Sequence, residues 1–283
     1  MAMTCFEVVK QVLDATYADI PGDEATRDAA IKSALASMTK DYKDLTHTGG
    51  PDFSDPVVRF AYVFKYVSSH SHWLYELIGW NGSTKELFRQ KKLRMVAIGG
   101  GPGSDLVGVL KYMDTMSASP SLHCELIDGC LGWKTTWSDL AHELDWSRPL
   151  HTDYVTHDVG DPGTWDAPSN IAKADLVTLS FFVSEIYHLG TAAEDYLRTM
   201  LKRLKPGAIV LFSDNNAPKF YTMFDRIAAE AGLEVLESDQ GNRKIYDWGE
   251  QKDAIGVYAK KFEHQARLSG SLSWRVLRKP TAS

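Results

Sequence analysis

Cysteine is scarce in this chain: three among 283 residues, at Cys5, Cys124 and Cys130. An odd and scattered set builds no disulfide framework. Cys124 and Cys130 lack the close paired spacing of a zinc site. His70 and His72 alternate along a helical stretch and so face different sides. No metal site is expected. Long apolar runs are also missing. Nothing approaches the ~18 apolar residues of a membrane span, and the N-terminus lacks the apolar core of a signal peptide. A reducing compartment suits the free thiols. The expectation is a cytoplasmic protein without a membrane partner, the nucleus remaining open. Positive charge is not in excess either: 31 Lys and Arg stand against 37 Asp and Glu, a net charge of -6. A duplex-nucleic-acid binder is usually basic, so that class is disfavoured. One segment runs against the average. Lys260, Lys261, Arg267, Arg275, Arg278 and Lys279 stand against one acid, Glu263. A charged edge strand is the first reading of it, and a polyanion site the second.

What is present falls into two textures. Residues 1–92 read as helical. Phe6, Val9, Val12 and Leu13 make a helical stripe. Pro21-Gly22-Asp23 breaks it, and a second helix follows from about Glu24 to Tyr42. Gly49-Gly50-Pro51 marks a loop. Ser54-Asp55-Pro56 reads as a helix start. That helix carries Phe60, Tyr62, Tyr66 and Trp73, and ends at Asn81-Gly82-Ser83. Residues 93–283 alternate instead. Strands are expected at Met95 to Ile98, Leu122 to Ile127, Tyr154 to His157, Asp175 to Phe181, Ala208 to Phe212, Leu233 to Leu236 and Leu272 to Leu277. Helices fall between them, at about 104–116, 131–143, 190–204 and 217–231. A polar insertion over about 239–269 holds a further helix near Ala254 to Phe262. Strands alternating with helices imply a parallel sheet covered on both faces. The expected architecture is α/β, with an N-terminal helical cap or substrate region over 1–92 and a sheet domain over 93–283.

The first strand runs straight into Gly99-Gly100-Gly101-Pro102-Gly103-Ser104-Asp105. A turn without Cβ atoms lets backbone approach a ligand closely. The helix that follows offers free N–H groups at its start. The dinucleotide fingerprint G-x-G-x-x-G fails in both registers, since its last position falls on Ser104 or Leu106. Asp128 ends the second strand, where an acid can accept both hydroxyls of a ribose or cap a helix. Asp158 and Val159 follow the third strand. An acid there can accept from an adenine amine while the valine covers the ring; a polar turn is the alternative. Ser180 ends the fourth strand, and Leu204-Lys205-Pro206-Gly207 leads into the fifth.

In this order these features resemble the class I (Rossmann-like) S-adenosylmethionine-dependent methyltransferases, over about residues 94–279. The glycine loop and Leu204-Lys205-Pro206-Gly207 are the most specific parts. The resemblance implies a seven-stranded, mostly parallel sheet with the last strand inserted antiparallel. It implies S-adenosylmethionine as cofactor. The methionine moiety would lie over Gly99, Gly101 and Gly103, with Asp105 and Ser180 beside it, the ribose on Asp128 and the adenine at Asp158 and Val159. The fourth strand ends in Ser180-Phe181-Phe182, not in the Asn-Pro-Pro-Tyr type of motif used on amino groups of bases.

An activated sulfonium leaves the protein to align a nucleophile and exclude water. An oxygen, imidazole or protonated amine acceptor also needs a base. Ser184, Glu185, Tyr187 and His188 follow the fourth strand, and Glu185 and His188 are the candidate catalytic groups. Surface roles are the alternative for both: a helix-start acid and a helix-entry histidine. Tyr62 and Tyr66 lie one helical turn apart and His70 continues their face. They would meet the cofactor mouth or pack as an aromatic stripe. Trp133 and Trp137 form a similar pair after Asp128. The sequence therefore predicts methyl transfer to nitrogen or oxygen of a small molecule or protein side chain. An RNA methyltransferase and a cofactor-binding module without catalysis are the alternatives.

Overall fold

A computed structural model describes residues 4–42, 50–116, 119–143, 149–244 and 252–281. Gly49 of the expected loop and part of the polar insertion lie outside these residues. Helix α1 (Cys5–Asp19) starts at Thr4, whose hydroxyl accepts from the Glu7 N–H. Its stripe of Phe6, Val9, Val12 and Leu13 is fully buried. Asp23 caps α2 (Glu24–Asp41). Asp55 caps α3 (Pro56–Tyr62), with Pro56 in the first turn, where its missing N–H costs nothing. The chain then passes through a π-helical turn, Val63–Val67, into α4 (Ser68–Trp80). Asn81 ends α4 and also opens α5 (Gly82–Leu87), accepting from the Ser83 and Thr84 N–H groups. The triplet that reads as a stop is thus a stop and a start.

The sheet comprises β1 (Lys92–Ile98), β2 (Ser121–Asp128), β3 (Leu150–Thr156), β4 (Leu176–Ser180), β5 (Ile209–Asn215), β6 (Glu234–Lys244) and β7 (Ser269–Arg278). Their order is β3-β2-β1-β4-β5-β7-β6. Strands β3, β2, β1, β4 and β5 run parallel, and β7 is antiparallel to both neighbours. The covered parallel sheet is what the alternating pattern predicts, and the antiparallel β7 is what the resemblance implies. β3 begins four residues earlier than expected and β6 runs eight residues further, paired along its length with β7. Polar strands of this kind carry a weak apolar signal and are held by their ladder bonds.

Helices α6 (Ser104–Asp114), α7 (Gly132–Glu143), α8 (Phe182–Ile186), α9 (Thr191–Lys202), α10 (Pro218–Glu230) and α11 (Gly256–Phe262) complete the fold. Alternation along each strand sorts the core into two layers. Leu93, Met95 and Ala97 of β1 pack in the layer that includes α1, α4, α6 and α7. Val96 and Ile98 point to the layer of α8, α9 and α10. The N-terminal helices therefore share one core with the sheet. Among the described residues, no helix is long and apolar enough to cross a membrane.

Candidate functional site

The chain reverses its direction of building between β1 and β4: β2 and β3 lie to one side, β4 and β5 to the other. Ligands of open parallel sheets bind at the carboxyl ends of strands at such a switch point. The glycine loop lies there. Gly99 and Gly100 both donate to the Ile127 carbonyl, at 2.8 and 3.1 Å, which ties the loop to the end of β2. Gly99 has φ +68°, and a Cβ there would sit 2.2 Å from the Phe182 ring. Gly101 also takes a left-handed φ. A Cβ on it would point at the Asp128 carboxylate and the Trp133 indole, each 3.7 Å away.

Asp128 accepts from the Gly101 N–H through Oδ2 and from the Cys130 N–H through Oδ1, both at 2.9 Å. Burial raises its pKa to about 6, against the lowering effect of these backbone bonds. Each oxygen keeps a lone pair for a further donor. The cap reading and the ribose reading are thus compatible: the carboxylate pins the loop and still has acceptor capacity.

Asp105 is buried in the first turn of α6. Burial raises its pKa, and the hydroxyls of Thr178 and Ser180 pull it back down. Asp105 Oδ1 and the Thr178 hydroxyl close to the carboxyl each lack a hydrogen bond of normal geometry among the described residues. An orphaned carboxylate oxygen costs about 1–3 kcal/mol or more. A ligand donor at this point would recover that cost.

Two adjoining recesses open from this point. The inner one is lined by Gly99, Gly101, Asp105, Asp128, Ser180 and Glu185, with Tyr62, His70, Phe53 and Trp133 as its aromatic wall. The outer one is lined by Gly129, Asp158, Val159, Ile186, His188 and Leu189. Phe53, Gly99, Asp128 and Glu185 border both. Most of the predicted positions thus come together around one loop. Tyr66 stands behind the wall, stacked on His70 at 5.5 Å and tilted against Tyr62 at 5.2 Å. Asp158 is exposed and accepts from the Gly160 N–H, so it forms the polar turn and still faces the outer recess.

Glu185 borders the inner recess, and its carboxylate accepts from the Tyr42 hydroxyl at 2.8 Å. Burial is the main cause that raises its pKa to about 8; Asp128 and Asp214 push the same way, and the Tyr42 bond opposes them. Burial also holds the Tyr42 hydroxyl well above its ordinary value. His188 is exposed on the outer recess, its Nδ1 2.9 Å from the Glu185 carbonyl oxygen. Ser184 is fully buried, its N–H donating to Asp214 and its hydroxyl to the Phe181 carbonyl. Tyr187 packs on Phe220. Trp133 faces the loop, whereas Trp137 supports it from below at Gly103.

Two aromatic residues at the site escape a reading of the sequence. Phe53 sits in a loop and lies 5.0 Å from Trp133 and 5.2 Å from Tyr62. Phe181, a non-glycine residue at φ +57°, stacks on His70 at 3.8 Å. Burial, with the Arg267 charge second, lowers the His70 pKa well below the ordinary value, so the ring is neutral. The basic C-terminal segment does not form a free patch. Arg275 binds Asp225 through two bonds of 2.9 Å, Arg278 binds Glu234, Lys261 binds Glu24, and Lys279 bonds the Ala231 carbonyl.

No family model and no curated protein matches the chain. Solved structures do. An O-methyltransferase family protein from Burkholderia thailandensis superposes with a TM-score of 0.52 at 13% identity, over 90% of this chain and 73% of that one. A duf574 family protein from Streptomyces avermitilis gives 0.46 at 17% identity, over 96% and 97%. A 4+2 cyclase gives 0.45 at 15% identity, over 75% and 81%. Together with the strand order, the first of these shows that the chain has the class I methyltransferase fold. Likeness at this identity speaks to the fold and leaves the reaction to the site.

Proposed function

We propose that the chain is an S-adenosylmethionine-dependent methyltransferase acting on nitrogen or oxygen of a small molecule or protein side chain. The observation that carries the reading is the Asp128 carboxylate, bonded to the glycine loop at Gly101 and bordering both recesses. The residues fit the cofactor. Asp105 offers its unpartnered Oδ1 to an ammonium donor. Asp128 offers the remaining lone pairs of both oxygens to a pair of ribose hydroxyls. Asp158 and Val159 line the recess on the far side of Asp128, where an adenine would lie.

When bound, S-adenosylmethionine supplies an activated methyl group on its sulfonium. The chain's own residues do the rest. Phe53, Tyr62, His70 and Trp133 wall the inner recess and keep water away from it. Glu185 takes a proton from the acceptor, and the Tyr42 hydroxyl orients its carboxylate. A base with a pKa near 8 is well matched to an oxygen or ammonium acceptor at neutral pH. An RNA substrate would need the helical N-terminal region and the basic C-terminal segment to hold it, and ion pairs and carbonyl bonds account for most of the charge of that segment. A substrate without a phosphate backbone suits a net charge of -6.

Calorimetry with S-adenosylmethionine and S-adenosylhomocysteine tests the reading. Binding is expected, and Asp128→Ala should weaken it roughly tenfold or more, the scale of a hydrogen bond to a charged group. Absence of binding at millimolar cofactor would end the proposal. Unchanged affinity in the variant would remove Asp128 from the cofactor site.

A further inference from the structure

Towards the amino-terminal ends of the strands, away from the glycine loop, β2 and β3 bring three metal-type ligands to one point. His123 on β2 is in register with His151 on β3. Their rings meet edge to face at 4.5 Å. Asp153 lies two residues beyond His151, hence on the same face of β3. Its Oδ2 is 2.8 Å from Nε2 of His123 and 3.4 Å from Nε2 of His151. All three donors lie within 4.8 Å of one another. With zinc–ligand bonds of 2.0–2.1 Å, neighbouring donors of a tetrahedral site lie about 3.3 Å apart. The two separations to Asp153, 2.8 and 3.4 Å, lie close to that value.

A plainer reading is that polar side chains guard the edge strand β3 against pairing with another chain. That reading explains charge on β3. It does not explain why two imidazole nitrogens, on different strands, converge on the same carboxylate oxygen. A carboxylate oxygen accepts, so the Nε2–Asp153 bond holds the His123 ring with its nitrogen aimed at the point where a metal ion would sit. Beside the cluster lies an open recess lined by Lys92, Ser121, His123, Pro149 and His151. It gives a fourth position access to water or to an outside ligand.

The geometry points to a transition-metal site made by His123, His151 and Asp153, selective for zinc-like ions. Two imidazoles and one carboxylate suit Zn²⁺, Co²⁺, Ni²⁺ and Cu²⁺; Mg²⁺ and Ca²⁺ prefer all-oxygen shells. Its place in the fold makes it a clamp between β2 and the edge strand β3. His123 precedes Asp128 by five residues on β2, a separation of about 16 Å along the strand. The site is therefore separate from the glycine loop, and its test is independent of the proposed methyl transfer.

The test uses the untagged full chain, stripped with a chelator and titrated with cobalt(II) and then zinc. One equivalent of cobalt should bind with the intense visible bands of tetrahedral coordination, and zinc should displace it. Zinc should also raise the melting temperature, since it binds the folded chain preferentially. His151→Ala and Asp153→Asn should each lower the association constant by roughly tenfold or more. Both residues are at least partly exposed, so the variants should fold, which circular dichroism checks. His264→Ala should bind as the parent does. Absence of cobalt and zinc uptake, or equal uptake in H151A and D153N, overturns the assignment.

Discussion

Single residues at the candidate site differ in how far the sequence exposes them. Gly99, Gly101 and Asp128 are legible because their partners are local or in adjacent strands: the loop bonds to Ile127 and Asp128 of the next strand. Glu185 is legible as a candidate catalytic group, but its pairing with Tyr42 is not, because 143 residues separate the two. That pair carries a pH signature. The Glu185 carboxyl has an ordinary value of 4.5 and stands near 8 in the folded chain, mainly through burial. A raised value means that the folded state holds the proton more tightly than the unfolded one. The resulting stability is complete below pH 4.5 and is lost as pH rises through 8. Glutamine does not ionise. Glu185→Gln should therefore equal the parent at the acid end, gain on it steadily up to about pH 8 and keep a constant lead above that. Melting temperatures across this range check the curve, and a lead independent of pH would mean that the carboxyl is not buried as described. The same variant should lower kcat/KM about 100-fold or more and abolish its rise toward pH 8, if Glu185 is the base.

Among elements, the regular helices and buried strands follow from periodicity, whereas their irregularities do not. Tyr62, Tyr66 and His70 share a face by spacing alone, but nothing in that spacing announces the π turn at Val63–Val67. Such turns cluster at functional sites. Here the Lys65 carbonyl of the turn accepts the Arg267 N–H at 2.8 Å, which ties the C-terminal segment to the helix behind the aromatic wall. Gly108 is another irregularity, a glycine in the middle of α6. Helix propensity argues that alanine would be better there by about 0.5–1 kcal/mol. Packing argues the reverse. A Cβ on Gly108 would stand 2.5 Å from the Ser71 carbonyl oxygen and 3.1 Å from the Leu74 Cβ, both on α4. A backbone atom cannot swing aside, and overpacking costs about 1–3 kcal/mol. The second effect is larger, so Gly108→Ala should lower the urea midpoint. A raised midpoint would show that α4 can draw back from α6 without loss.

For the whole molecule, the alternation of strands and helices is enough to indicate a covered parallel sheet. The antiparallel insertion of β7 between β5 and β6 is beyond periodicity, because strand order depends on long-range pairing; only the resemblance implied it. The relation of the first 92 residues to the sheet is harder still to read. Their helical texture suggests a cap, yet its side chains form part of the main core. Trp73 of α4 donates its indole N–H to the Ser213 hydroxyl on β5 at 2.6 Å and packs edge-on against Trp274 of β7 at 5.3 Å. Leu106, Val109, Leu110 and Met113 of α6 are wholly buried in the layer that α1 and α4 help to build. Burying one such side chain contributes about 1.5–3 kcal/mol. The net stability of a domain is only about 5–15 kcal/mol. Baring several of them at once would exceed it. A chain beginning at residue 93 should therefore fail to fold cooperatively, even though it keeps the glycine loop and all the strands save Lys92 at the start of β1. Near-ultraviolet circular dichroism and urea titration decide the matter: a fragment with no fixed aromatic signal and a broad, shallow transition is expected. A sharp transition with native-like near-ultraviolet signal would show instead that the sheet domain stands alone and that the helices merely rest on it.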